Sequence, residues 1–172
     1  MMTRQENLQN KIVSIEEAIR RMGIWRNGGL KVTFTNGCFD ILHKGHVTYL
    51  TQSADLANRL VVGLNSDASV KRQGKSEERP INNEDARATV LAGLSTVDLV
   101  VVFDQDTPLE LIQILQPDIV AKGSDYDALE RDKTSKKYIV GADLMDEKGG
   151  EVVAIPLVDG FSTTEIINKI KK

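Results

Sequence analysis

The sequence predicts an α/β domain built on an open, parallel five-stranded sheet with helices on both faces. Two observations predict it. Short apolar runs recur at residues 31–35, 60–64, 99–103, 119–121 and 152–155, and longer segments with helically spaced apolar residues separate them. That alternation is expected of strands joined by helical crossovers. The runs are also almost continuously apolar, as in strands covered on both faces.

Each element has a local reason. Ser14 is placed to cap a helix carrying Ile15, Ala18, Ile19 and Met22, with Glu17 three residues on as in a capping box, and Gly28-Gly29 ends it. After the first strand, a turn rich in special residues leads to a helix bearing Val47, Tyr49 and Leu50. A polar loop, 73–83, follows the second strand and contains Pro80. Asn83 or Asn82 then caps a helix through Arg87, Val90, Leu91 and Leu94, on which Arg87 and Asp85 are expected to be surface charges. Thr107-Pro108 sets proline at the first turn of the helix holding Leu111, Ile114 and Leu115, and Pro117 stops it. A charged loop, 123–137, follows the fourth strand. The last helix starts at Ser162 or Thr163 and runs through Ile166, Ile167 and Ile170 to the basic end Lys169-Ile170-Lys171-Lys172, which suits the negative end of a helix dipole.

The 172 residues read as one domain, with a helical segment 1–29 packed on a body 30–172. At this length folding buries about 70% of the unfolded surface, enough for a core without staples. The lone Cys38 excludes an intrachain disulfide. With 22 basic and 25 acidic residues the formal charge is −3, which gives no broad cationic surface for nucleic acid. No apolar run nears the ~20 residues that span a bilayer, and the N-terminal stretch is too polar for a signal peptide, so no membrane partner and a cytoplasmic location are expected.

The chemistry concentrates after the first strand, in Thr35-Asn36-Gly37-Cys38-Phe39-Asp40 and then His43-Lys44-Gly45-His46. Ligands of open α/β sheets bind at the carboxyl ends of strands, where a following helix points unpaired N–H groups at an anion. Phosphate is the natural ligand there. The only two histidines of the chain share this turn at a spacing of three, which puts them on one helical face. A single histidine on an apolar face is ordinarily a packed core residue, but two in this place argue for chemistry. With no second cysteine and only Asp40 adjacent, they make a poor zinc site, and no metal ligand is assigned. Gly45 between them lets a substrate approach the backbone. Gly74-Lys75-Ser76 imitates the end of a P-loop, but Ser69 stands where its first glycine belongs, so that motif is rejected.

His43-Lys44-Gly45-His46 matches the HxGH motif of the nucleotidyltransferase superfamily that includes cytidylyltransferases, pantetheine-phosphate adenylyltransferase and class I aminoacyl-tRNA synthetases. The run Gly160-Phe161-Ser162-Thr163-Thr164-Glu165 resembles that superfamily's second motif, the Ser/Thr-rich start of the last helix. Residues 34–40, 63–67, 103–109, 122–126, 140–143 and 149–152 resemble the adenylyltransferase part of bifunctional ADP-heptose synthase, so the similarity extends from about Lys11 to the end. It implies a Rossmann-like fold and an adenylyltransferase that converts ATP and D-glycero-β-D-manno-heptose 1-phosphate to ADP-heptose and pyrophosphate, for lipopolysaccharide-type glycans. In that enzyme a sugar-kinase domain comes first, and 172 residues leave no room for it, so a stand-alone transferase supplied by a separate kinase is expected.

The resemblance also implies roles. His43, His46 and Lys71 are the catalytic candidates, although Arg72 and Lys75 also follow the second strand, where related enzymes place a phosphate-binding lysine. Nucleotide contacts are expected from Thr35, Asn36, Gly37, Cys38, Phe39, Gly45, Ser162 and Thr163, and acceptor contacts from Asp40, Lys122, Gly123 and Asp125. Cys38 is read as a small turn residue. Mg²⁺ is expected to arrive on ATP. A homodimer is expected, with Ile24 and Trp25 as a candidate contact. The loop 127–137 and the segment Met145-Asp146-Glu147-Lys148 are more charged than the family pattern and leave the acceptor open. A glycerol-3-phosphate cytidylyltransferase-like enzyme and a non-catalytic nucleotide-binding protein are the alternatives.

Overall fold

The computed structural model describes residues 2–74 and 78–170. Lys75, a candidate phosphate ligand, and the terminal Lys171-Lys172 lie outside them. The strands are β1 (Ile12–Val13), β2 (Val32–Gly37), β3 (Arg59–Asn65), β4 (Leu99–Phe103), β5 (Ile119–Gly123) and β6 (Glu151–Ile155). They form one sheet of six strands in the order β1-β4-β3-β2-β5-β6, with every neighbouring pair parallel. The helices are α1 (Arg4–Gln9), α2 (Ile15–Asn27), α3 (Lys44–Asp55), α4 (Asp67–Arg72), α5 (Glu84–Ala92), α6 (Leu109–Leu115), α7 (Ala142–Lys148) and α8 (Thr163–Ile170).

The expected five-stranded sheet is corrected to six by β1, in which Ile12 pairs with Val100 and Val13 with Val101. Two residues are too few to show a period, and their place is fixed by pairing with a strand some ninety positions away. The N-terminal segment is therefore part of the sheet as well as a helical cover. Ser14 caps α2 by accepting the Glu17 amide at 3.3 Å, but the Glu17 carboxylate turns to Arg20 and Arg21 and does not close the expected box. The reciprocal box forms one helix earlier, between Thr3 and Glu6.

Alternate residues of each strand feed two cores. On one face Val32, Phe34, Val61, Leu99, Val101 and Phe103 pack under α2, α6 and α7. On the other Leu60, Val62, Leu64 and Val100 pack under α3 and α5. At about 25 cal/mol per Å² of apolar area removed from water, this double burial is the main driving force of the fold.

The chain order sets where a ligand can bind. From β2 it steps to β3 and β4 on one side, then returns to place β5 on the other side of β2. The crossovers therefore diverge between the carboxyl ends of β2 and β5, and a crevice opens at that switch point. Trp25 of the expected dimer contact is half-buried against the core beneath the Arg59 guanidinium, 5.6 Å from its ring, whereas Ile24 is exposed. No helix among the described residues is long and apolar enough to cross a membrane.

Candidate active site

At the switch point lies a cavity of about 570 Å³. Its floor is the end of β2, Asn36 and Gly37, with the turn Cys38-Phe39; one wall is His43, Gly45 and His46 at the start of α3. Lys122, Gly123 and Asp125 after β5 also line it, and so do Ser162, Thr163 and Thr164 at the start of α8, where Phe161 lies beside Gly45 and His43. The HxGH turn and the Ser/Thr-rich turn, at opposite ends of the sequence, thus share one cavity.

The histidines are tightly organised. His43 caps α3, its Nδ1 accepting the His46 amide at 3.4 Å, so in the neutral ring the proton sits on Nε2 and that edge is the donor. The two rings stack at 3.8 Å and 21°, and the His46 ring meets the Phe39 ring edge-on at 5.3 Å. Burial lowers the His46 pKa to about 4, helped by the neighbouring His43 and Arg79 and opposed by the Ile41 backbone, and burial lowers that of His43 as well. Both rings are therefore neutral hydrogen-bond donors at pH 7. His46 Nδ1 is buried without a hydrogen-bond partner among the described residues.

Close approaches explain the small residues. A Cβ on Gly45 would stand 3.0 Å from the His43 ring and 3.3 Å from Phe161 Cβ, and one on Gly123 would stand 2.7 Å from an Asp125 oxygen. Phe39 adopts a φ of 43°, rare for a residue with a side chain and typical of strained turns at functional sites. Ser162 Oγ accepts the Glu165 amide at 3.1 Å and so caps α8, which leaves its own O–H and the first N–H groups of the helix available to an anion.

Three expected site residues do not line the cavity. Thr35 is fully buried, its hydroxyl 2.6 Å from that of Tyr49, which donates to the Ala121 carbonyl at 3.0 Å and ties β2, α3 and β5 together. Lys71 is exposed on α4, because that helix buries Ser69 and Val70 and turns the lysine away. Its neighbour Arg72 pairs with Asp106 at 2.6 Å. Asp40 has a fully buried side chain and is consumed by the loop after α4: it pairs with Arg79 at 3.1 Å and accepts the amides of Ile81 and Asn82.

Among the described residues, the cation after the second strand that does line the cavity is Arg79. The polar loop 73–83 marked the region, but nothing in its spacing separates Arg79 from its neighbours. Gln73 also lines the cavity, accepting a hydrogen bond from the buried Cys38 thiol at 3.3 Å. Arg87, expected on the surface opposite Asp85, is only 2% exposed. It pairs with Asp67 at 2.7 Å and donates to the carbonyls of Cys38 at 2.7 Å and Asn82 at 3.0 Å, binding the turn after β2 to the loop above it. Lys122 donates to the Asn36 carbonyl at 3.2 Å and lies 5.5 Å over the Tyr126 ring.

Residues 34–169 match the model of the family described as cytidylyltransferase-like. Among curated relatives, the bifunctional protein HldE of Hyphomonas neptunium is 52% identical over 91% of this chain and 30% of its own length, and that of Magnetococcus marinus is 52% identical over 94% and 31%. The chain therefore spans about a third of the relatives it matches. Among solved structures, the lipopolysaccharide core biosynthesis protein of Thermoplasma volcanium superposes with a TM-score of 0.57 at 26% identity, covering 76% of this chain and 98% of that one. Pantothenate synthetase of Thermus thermophilus, 16% identical over 91% of this chain and 67% of its own with a TM-score of 0.57, shares the fold alone. A family match spanning both motifs, relatives at half identity and one cavity joining the two motif ends place this chain in the cityscape of known folds with a single address: it belongs to the cytidylyltransferase-like family of nucleotidyltransferase enzymes.

Proposed function

We propose that this chain transfers an adenylyl group from Mg·ATP to D-glycero-β-D-manno-heptose 1-phosphate, releasing pyrophosphate and forming ADP-heptose. The observation that carries the reading is the convergence of the two histidines and the α8 N-terminus on one cavity. A phosphate oxygen of the acceptor attacks the α-phosphorus of ATP in line; the new P–O bond forms as the bond to the bridging α–β oxygen breaks, and that electron pair leaves on pyrophosphate. Such transfers depend on positioning and charge stabilisation more than on covalent help. His43 and His46 are assigned as neutral donors to the α-phosphate oxygens, and Ser162, Thr163 and the α8 N–H groups as the seat of the leaving pyrophosphate. Gly45 keeps the first wall close, and Mg²⁺ enters on the triphosphate with much of its water retained.

The choice of heptose is supported by the stretches that resemble ADP-heptose synthase, among them Lys122-Gly123-Ser124-Asp125-Tyr126 at the end of β5. The second reading pairs CTP with a phosphoalcohol such as glycerol 3-phosphate; the family's description as cytidylyltransferase-like favours its nucleotide. Pyrophosphate release measured with ATP or CTP against each acceptor tests both. The proposal expects ATP with heptose 1-phosphate to exceed every other pair by at least tenfold; a CTP preference, or turnover only with glycerol 3-phosphate, overturns it.

A further inference from the structure

Asp40 and Arg79 are joined in a way that leaves the arginine half used. The Asp40 carboxylate is fully buried and spends both oxygens on the loop opposite: Oδ2 accepts Arg79 Nε at 3.1 Å, and Oδ1 accepts the amides of Ile81 at 2.9 Å and Asn82 at 3.0 Å. Asn82 Nδ2 returns a hydrogen bond to the Asp40 carbonyl at 2.7 Å, and Arg87 holds the Asn82 carbonyl from the other side. The guanidinium is thereby fixed in place.

An arginine that serves only a carboxylate normally offers two parallel N–H groups to it. Here Nε alone is engaged, and the four terminal N–H groups have no acceptor among the described residues. Yet the side chain is only 11% exposed and lines the same cavity as His43 and His46. Asp40 balances the charge, but donors this deep that have no acceptor among the described residues are costly to leave unmade unless an acceptor such as an anion arrives. The nearby histidines are neutral and supply none, and the other cation among the described lining residues, Lys122, lies after β5 with its ammonium on the Asn36 carbonyl.

We propose that Arg79 is a phosphate-binding residue of this site, aimed by Asp40 so that its terminal N–H groups meet two oxygens of one phosphate. Asp40 is then a positioning residue and makes no substrate contact. The planar fork suits this task, whereas a lysine at the same place would offer a point charge without the geometry. The source of the phosphate, nucleotide or acceptor, rests on the adenylyl-transfer reading; the anion site itself does not.

The test is calorimetric titration of wild type, Arg79→Gln and Arg79→Lys with inorganic pyrophosphate, then with Mg·ATP, followed by the KM for the sugar phosphate. Pyrophosphate affinity should fall at least tenfold in Arg79→Gln. Arg79→Lys should melt near the wild-type temperature but recover less than half of the lost affinity on a logarithmic scale. Weakened Mg·ATP binding assigns the phosphate to the nucleotide, and a raised acceptor KM with Mg·ATP binding intact assigns it to the sugar phosphate; either supports the proposal. Pyrophosphate, Mg·ATP and acceptor constants all within twofold of wild type in both variants overturn it and mark a purely structural ion pair; full recovery by lysine also overturns it, because a point charge then suffices and the aimed fork does nothing. Should no acceptor turn over while pyrophosphate binding still depends on Arg79, the adenylyl-transfer reading fails and this one stands. Turnover that ignores Arg79 gives the reverse.

Discussion

Replacing His46 with alanine removes a neutral ring whose Nδ1 lacks a partner among the described residues, together with its stacking on His43 and its edge contact with Phe39. If that ring donates to the charge developing on the α-phosphate, its loss costs about 3–4 kcal/mol in the transition state, the penalty typical of one preorganised donor, and kcat falls by about 10²–10³. The fold loses less. Two aromatic contacts at about 0.5–1.5 kcal/mol each, in a side chain still partly open to the cavity, amount to about 1–2 kcal/mol, or a fall in Tm of about 5 °C. The pH dependence carries a sign. The folded pKa near 4 lies below the ordinary 6.5, so between these values the unfolded chain binds more protons and stability falls as the pH drops. Above about pH 6.5 no such loss operates. At most about 3 kcal/mol is involved, less with solvent screening, and the alanine variant should lack this part of the acid sensitivity. Pyrophosphate release at saturating Mg·ATP and urea unfolding at pH 7.5 and 5 read both effects. A kcat within fivefold of wild type would refute the catalytic assignment; a collapse of stability at pH 7.5 would mean the pair is chiefly structural.

Other residues make separable predictions. Arg87→Met should destabilise the protein by about 3 kcal/mol in urea, because it leaves Asp67 and the carbonyls of Cys38 and Asn82 without their donor; a change under 1 kcal/mol would contradict the buried network. Asp125, exposed where it lines the cavity after β5, is expected to take sugar hydroxyls: Asp125→Asn should lower kcat/KM for the sugar phosphate about tenfold and leave Mg·ATP binding unchanged, and equal damage to both would move it to the nucleotide side. If Mg²⁺ travels with the nucleotide as proposed, chelation of divalent ions should abolish turnover without changing Tm; unfolding on chelation would reveal a structural metal instead.

What the sequence revealed, and what it hid, follows from the range of the interactions. Apolar runs and caps are local, so Leu99–Phe103 appears at the bounds read from sequence, and Ser14 and Asn83 stand where they were expected. The cavity's two motif ends were legible because each motif is contiguous. Arg79 was missed, and Arg87 and Asp40 were misjudged, for the opposite reason. Their partners lie dozens of residues away, and a charged side chain on a helix or loop gives no local sign that a distant carboxylate or carbonyl will bury it. Lys71 shows the same limit: its position in the chain was right for a phosphate contact, but the packing of Ser69 and Val70 decides which way α4 faces. β1 escaped because two residues carry no pattern.

The central claim is that the HxGH turn and the start of α8 grip one triphosphate. A crystal structure with Mg²⁺ and α,β-methylene ATP tests it most directly. The account predicts α-phosphate oxygens within hydrogen-bond distance, about 3 Å, of the His43 and His46 rings, and the β- and γ-phosphates on Ser162, Thr163 and the α8 amides. A triphosphate bound away from the histidines, or one that leaves the α8 N-terminus untouched, would contradict it.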